Sequence, residues 1–267
     1  MNVAAPPAYD EPYRADRPAF LWLLEREVVR FLKIWRFSIL GQVISALLFV
    51  LVFGVALSGR IDAVRGIPYD RFILPGLVVQ AVVTVGFVNG TTSLFEARND
   101  RYINGVLASP LRWWEIDLAL VLGGMIREIL VGAGVLAVAA PLVGVGVARP
   151  AVAVAATLAL LVTAAQVGVI AGTYAKSLDH IYSFETLAVL PLGFLSGIFY
   201  SVNRLPGAWG ALTHLNPLFY FVEALRIGLL GHGDLSAGVA LPVVIGVAAA
   251  LSVWSLALFR SGRQLKP

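Results

Sequence analysis

The chain contains no cysteine, which excludes disulfides, thiolate-held zinc and iron–sulfur clusters. Charge is scarce as well: Asp, Glu, Lys and Arg make up 13% of 267 residues, about half the share found in soluble domains. Lysine occurs only at Lys33, Lys176 and Lys266, and none of them follows a glycine. A Walker A loop needs Gly-Lys because that lysine reaches the phosphates, so the chain does not bind ATP in that way. The spacings His-Glu-x-x-His and Gly-x-Ser-x-Gly are missing too. Without them, zinc-peptidase and nucleophile-elbow chemistry have no carrier. The three histidines, His180, His214 and His232, are scattered, which favours interfacial placement over metal ligation or base catalysis. No metal site and no enzyme acting alone remain as expectations.

What the chain has in abundance is apolar sequence, 59% of its residues. Charge-free runs cover Phe37–Gly59, Phe72–Phe95, Ile129–Ala148, Pro150–Ala175, Thr186–Asn203 and Leu235–Phe259. About 20 apolar residues suffice to cross a hydrocarbon core of about 30 Å. The runs are continuous rather than alternating, so helices are expected and not a barrel. The fold class is therefore an all-α integral membrane protein with six transmembrane helices, over about 37–58, 72–95, 115–146, 150–175, 181–200 and 236–259. A further apolar run, Leu205–Val222, is interrupted by Pro206, Gly207, Gly210, His214, Asn216 and Pro217. Asn216-Pro217 is a helix start, with Asn as cap and Pro in the first turn. The run then splits into two helices too short to cross, and residues 203–231 read as a re-entrant helical hairpin between spans 5 and 6.

Orientation follows from where the cations fall. With six spans, thirteen Lys and Arg residues lie on the side of the termini and six on the other, Arg127 being within a span. That bias places both termini in the cytoplasm and the hairpin outside. Residues 1–18, rich in proline, are expected to be a disordered cytoplasmic tail, with a second short tail over 263–267. Between 19 and 36, Phe20, Leu24, Val28, Phe31 and Trp35 recur at helical spacing, away from Arg26, Arg30 and Lys33. This is an amphipathic interfacial helix, an anchor or a gating element.

The stretch Leu94–Glu115 is polar and lies between two spans. Tyr102, Val106 and Leu107 share one helical face within it, and Ser109-Pro110 ends the helix. It is either a solvated loop with an interfacial helix or a docking helix for a cytoplasmic partner. In the third span, Arg127 and Glu128 sit well inside the membrane if the helix begins near Trp114. They would sit at its boundary if it begins at Ile129. In the first case Arg127 needs a partner, for which Glu185 or Glu96 is available. Small residues four apart, at Gly86/Gly90, Gly168/Gly172 and Gly193/Gly197, suit close helix contacts.

Several short motifs, in order, give the chain a likeness. They are Phe72-Ile-Leu-Pro-Gly76, Leu94-Phe-Glu-Ala-Arg98, Leu107-Ala-Ser-Pro-Leu111, Arg127, Ala175-Lys-Ser-Leu-Asp179, Leu195-Ser-Gly-Ile-Phe-Tyr200, Leu205-Pro206 and His214-Leu-Asn-Pro217. From about residue 20 to 260 the chain resembles the permease subunits of the ABC type-2 exporter family, and its later part, from Ala175 to Gly231, looks most like the nodulation-factor and drug-type branch. The resemblance implies an ABC type-2 transmembrane domain over 19–262, working as a homodimer with two copies of a cytoplasmic ATPase. ATP and magnesium would be used by that partner, with no cofactor on this chain. It also implies a coupling helix between spans 2 and 3, involving Glu96, Arg98, Arg101, Tyr102, Val106 and Leu107. His214, Asn216 and Pro217 would shape the outer hairpin.

The expected activity is outward movement of an amphipathic substrate, such as a drug-like molecule, a lipid or a lipid-linked oligosaccharide, across the plasma (inner) membrane. Arg127, Phe87, Phe194, Phe199 and Tyr200 are candidates for the path, the aromatics for stacking. Membrane lipid is an expected partner and nucleic acid is not. A secondary carrier, a flippase without an ATPase partner, or a non-transporting scaffold are the competing readings. Secondary carriers show inverted repeats and broken helices near the midplane, and no repeat is visible here.

Overall fold

Backbone amides in an apolar chain must pair within their own segment, and helix is the only regular structure among the described residues, apart from one bridge between Val64 and Ile67. The computed structural model describes residues 18–56, 63–64, 66–100, 102–202 and 207–262. The expected tails at 1–17 and 263–267 lie outside the described residues, as do Arg101 and the 203–206 entry to the hairpin. The helices are α1 (Ala19–Leu32), α2 (Gly41–Phe49), α3 (Tyr69–Asn99), α4 (Ile103–Ala108), α5 (Trp113–Val143), α6 (Pro150–Tyr174), α7 (Leu178–Phe184), α8 (Leu190–Phe194), α9 (Gly207–Leu215), α10 (Pro217–Leu230) and α11 (Ala237–Ser261). Wider π-helical turns flank α2 at Arg36–Leu40 and Val50–Ala56, and join α7 to α8 at Glu185–Val189.

Five segments are long and apolar enough to cross a bilayer: Arg36–Gly54, Tyr69–Asn99, Trp113–Val143, Pro150–Tyr174 and Ala237–Ser261. The remaining expected span, the fifth, over 181–200, differs. Its helical part begins three residues earlier, where the Ser177 hydroxyl accepts the His180 N–H at 3.1 Å. It ends at Phe194, and the chain then turns through Gly197 at φ +76°. Seventeen helical residues remain, a rise of about 26 Å. The interfacial helix expected over 19–36 also stops early, at Leu32. The Ser38 hydroxyl bonds back to the Phe31 carbonyl at 2.9 Å across the turn that follows.

Helix α3 is the axis of the bundle, buried along nearly its whole length between α5, α6 and α10. Glycines let its neighbours come close. A methyl group at Gly90 would collide with the backbone of Gly168, and one at Gly168 with the carbonyls of Gly86 and Phe87. Two of the three expected small-residue pairs thus meet each other face to face. The third does not act as a pair: Gly193 lies against Gln80, and Gly197 supplies the turn. Gly123 of α5 admits Glu27 of α1, Gly76 of α3 admits Ile198, and Gly228 of α10 admits the backbone of Ala153 in α6. Outward faces remain strongly apolar, with Phe37 83% exposed, Leu187 77% and Val253 68%, as lipid-facing surfaces require.

The two short helices of the hairpin fall where Asn216-Pro217 divides them. The Asn216 side chain accepts the Leu218 N–H at 3.0 Å, capping α10. Its amide also donates to the Leu192 carbonyl at 2.6 Å, tying the elbow to α8. α10 is buried on most of its surface, against α6, α11 and α3.

Candidate functional site

Two polar nodes, at opposite ends of α3, and an aromatic ladder hold most of the residues that carry the chemistry. The first node gathers around Asn89. Arg127 is inside α5, because that helix runs unbroken from Trp113, where the Glu115 carboxylate accepts the Arg112 N–H at 2.6 Å. The helix itself therefore starts well before Ile129. Arg127 lies fourteen residues into the helix, about 21 Å along its axis. Its guanidinium donates to the Ser38 carbonyl at 3.0 and 3.3 Å and to Asn89 Oδ1 at 3.2 Å. Neither Glu185 nor Glu96 is its partner. Glu96 instead lies 3.8 Å from Arg30.

Arg30 approaches the same asparagine from α1, donating to Asn89 Oδ1 and to the Asn89 carbonyl, each at 3.1 Å. The counter-charge is Glu27, fully buried, which accepts from Arg30 at 3.3 Å and from the Ser93 hydroxyl at 2.6 Å. Sequence reading set the apolar face of this helix on Phe20, Leu24, Val28, Phe31 and Trp35 and did not single out Glu27. The buried face of α1 centres instead on Leu23, Glu27 and Phe31, and the only hint was helical spacing to those apolar neighbours. Glu128 points the other way, against Gly86, and neither of its oxygens has a hydrogen-bond partner among the described residues.

The stretch expected to couple to a partner is anchored just beyond this node. Arg98 donates to the carbonyls of Gly172 at 2.9 Å, Thr173 at 2.7 Å and Ala175. It thereby satisfies the last turn of α6, whose terminal carbonyls have no intrahelical donors. Tyr102 turns inward: its hydroxyl donates to the Ser93 carbonyl at 3.2 Å, and the Arg26 guanidinium sits 3.8 Å above its ring. Burial pushes the Tyr102 phenol up from its ordinary range, and the Arg26 charge opposes that. Ile103 is buried and Val106 half-buried against the same cluster, whereas Leu107 is 40% exposed and Asn104 and Ala108 are exposed. Of the apolar face Tyr102, Val106 and Leu107, only Leu107 projects.

The aromatic candidates separate into two places. Phe194 and Phe199 stack at 5.7 Å, Phe199 meets Phe53 at 5.1 Å and Phe53 meets Phe49 at 5.7 Å. Half-buried Tyr200 follows in the same turn, and the Tyr69 hydroxyl bonds the Phe199 carbonyl at 3.3 Å. Phe87 lies elsewhere, stacked on Phe184 at 5.6 Å. Arg127, Phe87 and the Phe194–Phe199 pair therefore do not converge on one pocket.

The second node escaped sequence reasoning. Glu223 and Arg226, three apart on α10, form a fully buried ion pair. Arg226 also donates to the Gly197 carbonyl at 2.9 Å and lies 3.8 Å above the Phe72 ring. Glu223 accepts from the backbone N–H groups of Asp234 and Leu235, and Asp234 accepts from Ser201 at 2.8 Å and from the Val202 N–H at 2.9 Å. The Glu-x-x-Arg spacing in an otherwise apolar helix was the available signal. A buried Asp117, bonded to Ser255 and to Gln166, ties α5 to α11 and α6. In the hairpin, the His214 ring meets Phe219 edge-on at 5.1 Å and its carbonyl accepts the Tyr220 hydroxyl at 3.0 Å. Among the described residues no cluster of His, Asp and Glu could hold a metal ion.

A family model described as ABC-2 type transporter matches residues 18–230. The inner membrane transport permease YadH of Escherichia coli K12 is 36% identical over 244 residues, covering 90% of this chain and 94% of that protein. Nodulation protein J of Rhizobium meliloti 1021 is 28% identical over 269 residues, covering 96% and 98%. Nodulation protein J of Sinorhizobium fredii NGR234 is 30% identical over 237 residues, covering 82% and 85%.

Proposed function

We propose that this chain, which belongs to the ABC-2 type transporter family, is the membrane-spanning subunit of an ATP-driven exporter. Two copies assemble with two copies of a separate cytoplasmic ATPase, and an amphipathic substrate moves outward across the inner membrane. Both termini and α4 face the cytoplasm, and the 203–231 hairpin faces out. The fifth span is the 178–194 segment, which reaches across with its π turn and with the chain that follows it.

The observation that carries this reading is the mounting of α4. One side of that helix packs into the bundle through Ile103 and Val106, and its base is fixed by Tyr102. The other side presents Asn104, Leu107 and Ala108 to the surroundings. A helix held this firmly passes on force applied to its free side, and the chain has no nucleotide site of the Walker A kind to generate that force. The test is to purify the tagged permease with its candidate ATPase and measure substrate export in proteoliposomes. Export should stop on ATP removal and persist when ion gradients are collapsed. Export that follows the ion gradient and ignores ATP would establish a secondary carrier instead.

A further inference from the structure

We propose that Asp117, Gln166 and Ser255 hold a single sodium ion between α5, α6 and α11. The three side chains are 3%, 4% and 0% exposed, and each comes from a different helix. Asp117 lies four residues after the start of α5, Ser255 six before the end of α11 and Gln166 eight before the end of α6. At about 1.5 Å per residue, all three are one to two turns inside the end of the bundle that carries α4.

The charge on Asp117 calls for an occupant. A carboxylate buried in a span needs a counter-charge, and among the described residues no Lys, Arg or His pairs with Asp117. The Ser255 hydroxyl donates to Oδ1, which leaves the charge in place. The Gln166 amide meets Oδ2 through Nε2 at 3.4 Å, beyond the span of about 2.7–3.2 Å of a good N–H···O bond. Its own Oε1 is buried with no donor among the described residues. One turn earlier on the same face of α6, the Thr163 hydroxyl is buried without a partner as well. The node differs from the clusters of His, Asp and Glu that hold divalent metals, none of which occurs among the described residues. It offers one carboxylate and neutral oxygens.

The distance selects the ion. Turning the Gln166 amide over about its last side-chain bond, a broad two-fold torsion, places Oε1 where Nε2 stands, 3.4 Å from Oδ2. That is too long for a proton shared between the two oxygens, since O–H···O bonds span about 2.5–3.0 Å. An ion that binds oxygen at about 2.3–2.6 Å sets neighbouring ligands, at right angles, about 3.3–3.7 Å apart. Calcium and sodium both have that size. Calcium would bring two charges to one carboxylate, whereas sodium brings one and leaves the span neutral. The Ser255 oxygen keeps its bond to Oδ1 and has lone pairs left for the ion. The ion thus joins the cytoplasmic ends of three helices around one charge.

The inference does not rest on the export reading and is tested on the permease alone. The full-length chain, purified in detergent without ATPase or nucleotide, is titrated with radioactive sodium chloride, choline chloride keeping the ionic strength constant. Bound sodium should saturate at one ion per chain, and the thermal denaturation midpoint should rise over the same sodium range. Asp117→Asn keeps the shape and removes the charge. It should weaken sodium binding by about a hundredfold, the factor for an ion left unpaired in a span. Gln166→Leu removes one neutral ligand, should weaken binding by about tenfold, and carries the test should Asp117→Asn fail to fold. Asp179→Asn, on the exposed start of α7, should bind sodium as the parent does. Saturable binding weakened by the node variants and not by Asp179→Asn supports the site. The proposal is overturned if the parent binds no sodium saturably or if both node variants bind it as the parent does. It is overturned equally if the midpoint follows pH and ignores sodium, which would make Asp117 a proton site.

Discussion

Arg30 and Arg127 donate to the same atom, Oδ1 of Asn89, at 3.1 and 3.2 Å. Two like charges from α1 and α5 converge on one neutral amide of α3, and Glu27 provides the carboxylate that accepts from Arg30. Asn89→Leu removes the acceptor that both guanidinium groups share and should lower stability by about 1–3 kcal/mol. Asn89→Asp supplies a charged acceptor and should retain it. The measurement is the thermal denaturation midpoint of the detergent-solubilised permease. Equal midpoints for Asn89→Leu and the parent would show that the convergence contributes nothing.

Tyr102 and Leu107, five residues apart on the stretch proposed to meet the ATPase, should separate stability from assembly. Tyr102→Phe keeps the ring beneath Arg26 and loses only the bond to the Ser93 carbonyl, a cost of about 0.5–1.5 kcal/mol. It should leave ATPase binding intact. Leu107→Asp alters the projecting face alone, so the permease should fold normally yet lose the ATPase on co-purification. Retention of the ATPase by Leu107→Asp would move the docking surface elsewhere.

Breaking the buried pair on α10 should be severe. Arg226→Ala leaves Glu223 buried without its partner, a loss of about 3–5 kcal/mol. The double variant Glu223→Gln/Arg226→Met removes both charges and should recover much of that loss. Expression level and denaturation midpoint in the double-mutant cycle check this.

Gly168 tests the contact between α3 and α6. Gly168→Ala drives a methyl group into the carbonyls of Gly86 and Phe87 and should destabilise by about 1–3 kcal/mol, as overpacking does. Gly246→Ala, in open space on α11, should be neutral in the same assay.

Much of this was legible in the residues. Five of the six charge-bounded runs fall largely in helical segments long enough to cross a bilayer, Asn216-Pro217 divided the hairpin helices, Ser109-Pro110 ended α4 and the family resemblance held. What sequence could not supply was pairing through the backbone. Arg127 is met by a carbonyl of Ser38 and Arg98 by three carbonyls at the end of α6, and carbonyls carry no side-chain signature. The helical part of the fifth expected span is shorter than 181–200 because apolar composition continues past Phe194, where the helix ends. Glu27 was not singled out, and Tyr102 was read with Val106 and Leu107 as a face for docking or for the membrane surface, although each has an internal partner that offsets its burial. The family motifs, separate in sequence, adjoin in space: Gly76 packs on Ile198, and Arg98 bonds Ala175.

The glycine contact between α3 and α6 has a mechanical result. The helices touch at Gly86, Gly90, Gly168 and Gly172, and Arg98 clamps their ends together. Sliding α3 along α6 by one turn, about 5.4 Å, would bring bulky side chains such as Leu94 toward seats that only glycine fits. The contact therefore fixes the register of the pair, and under the export reading a displacement applied to α4 would be carried along it toward Phe72 and Gly76.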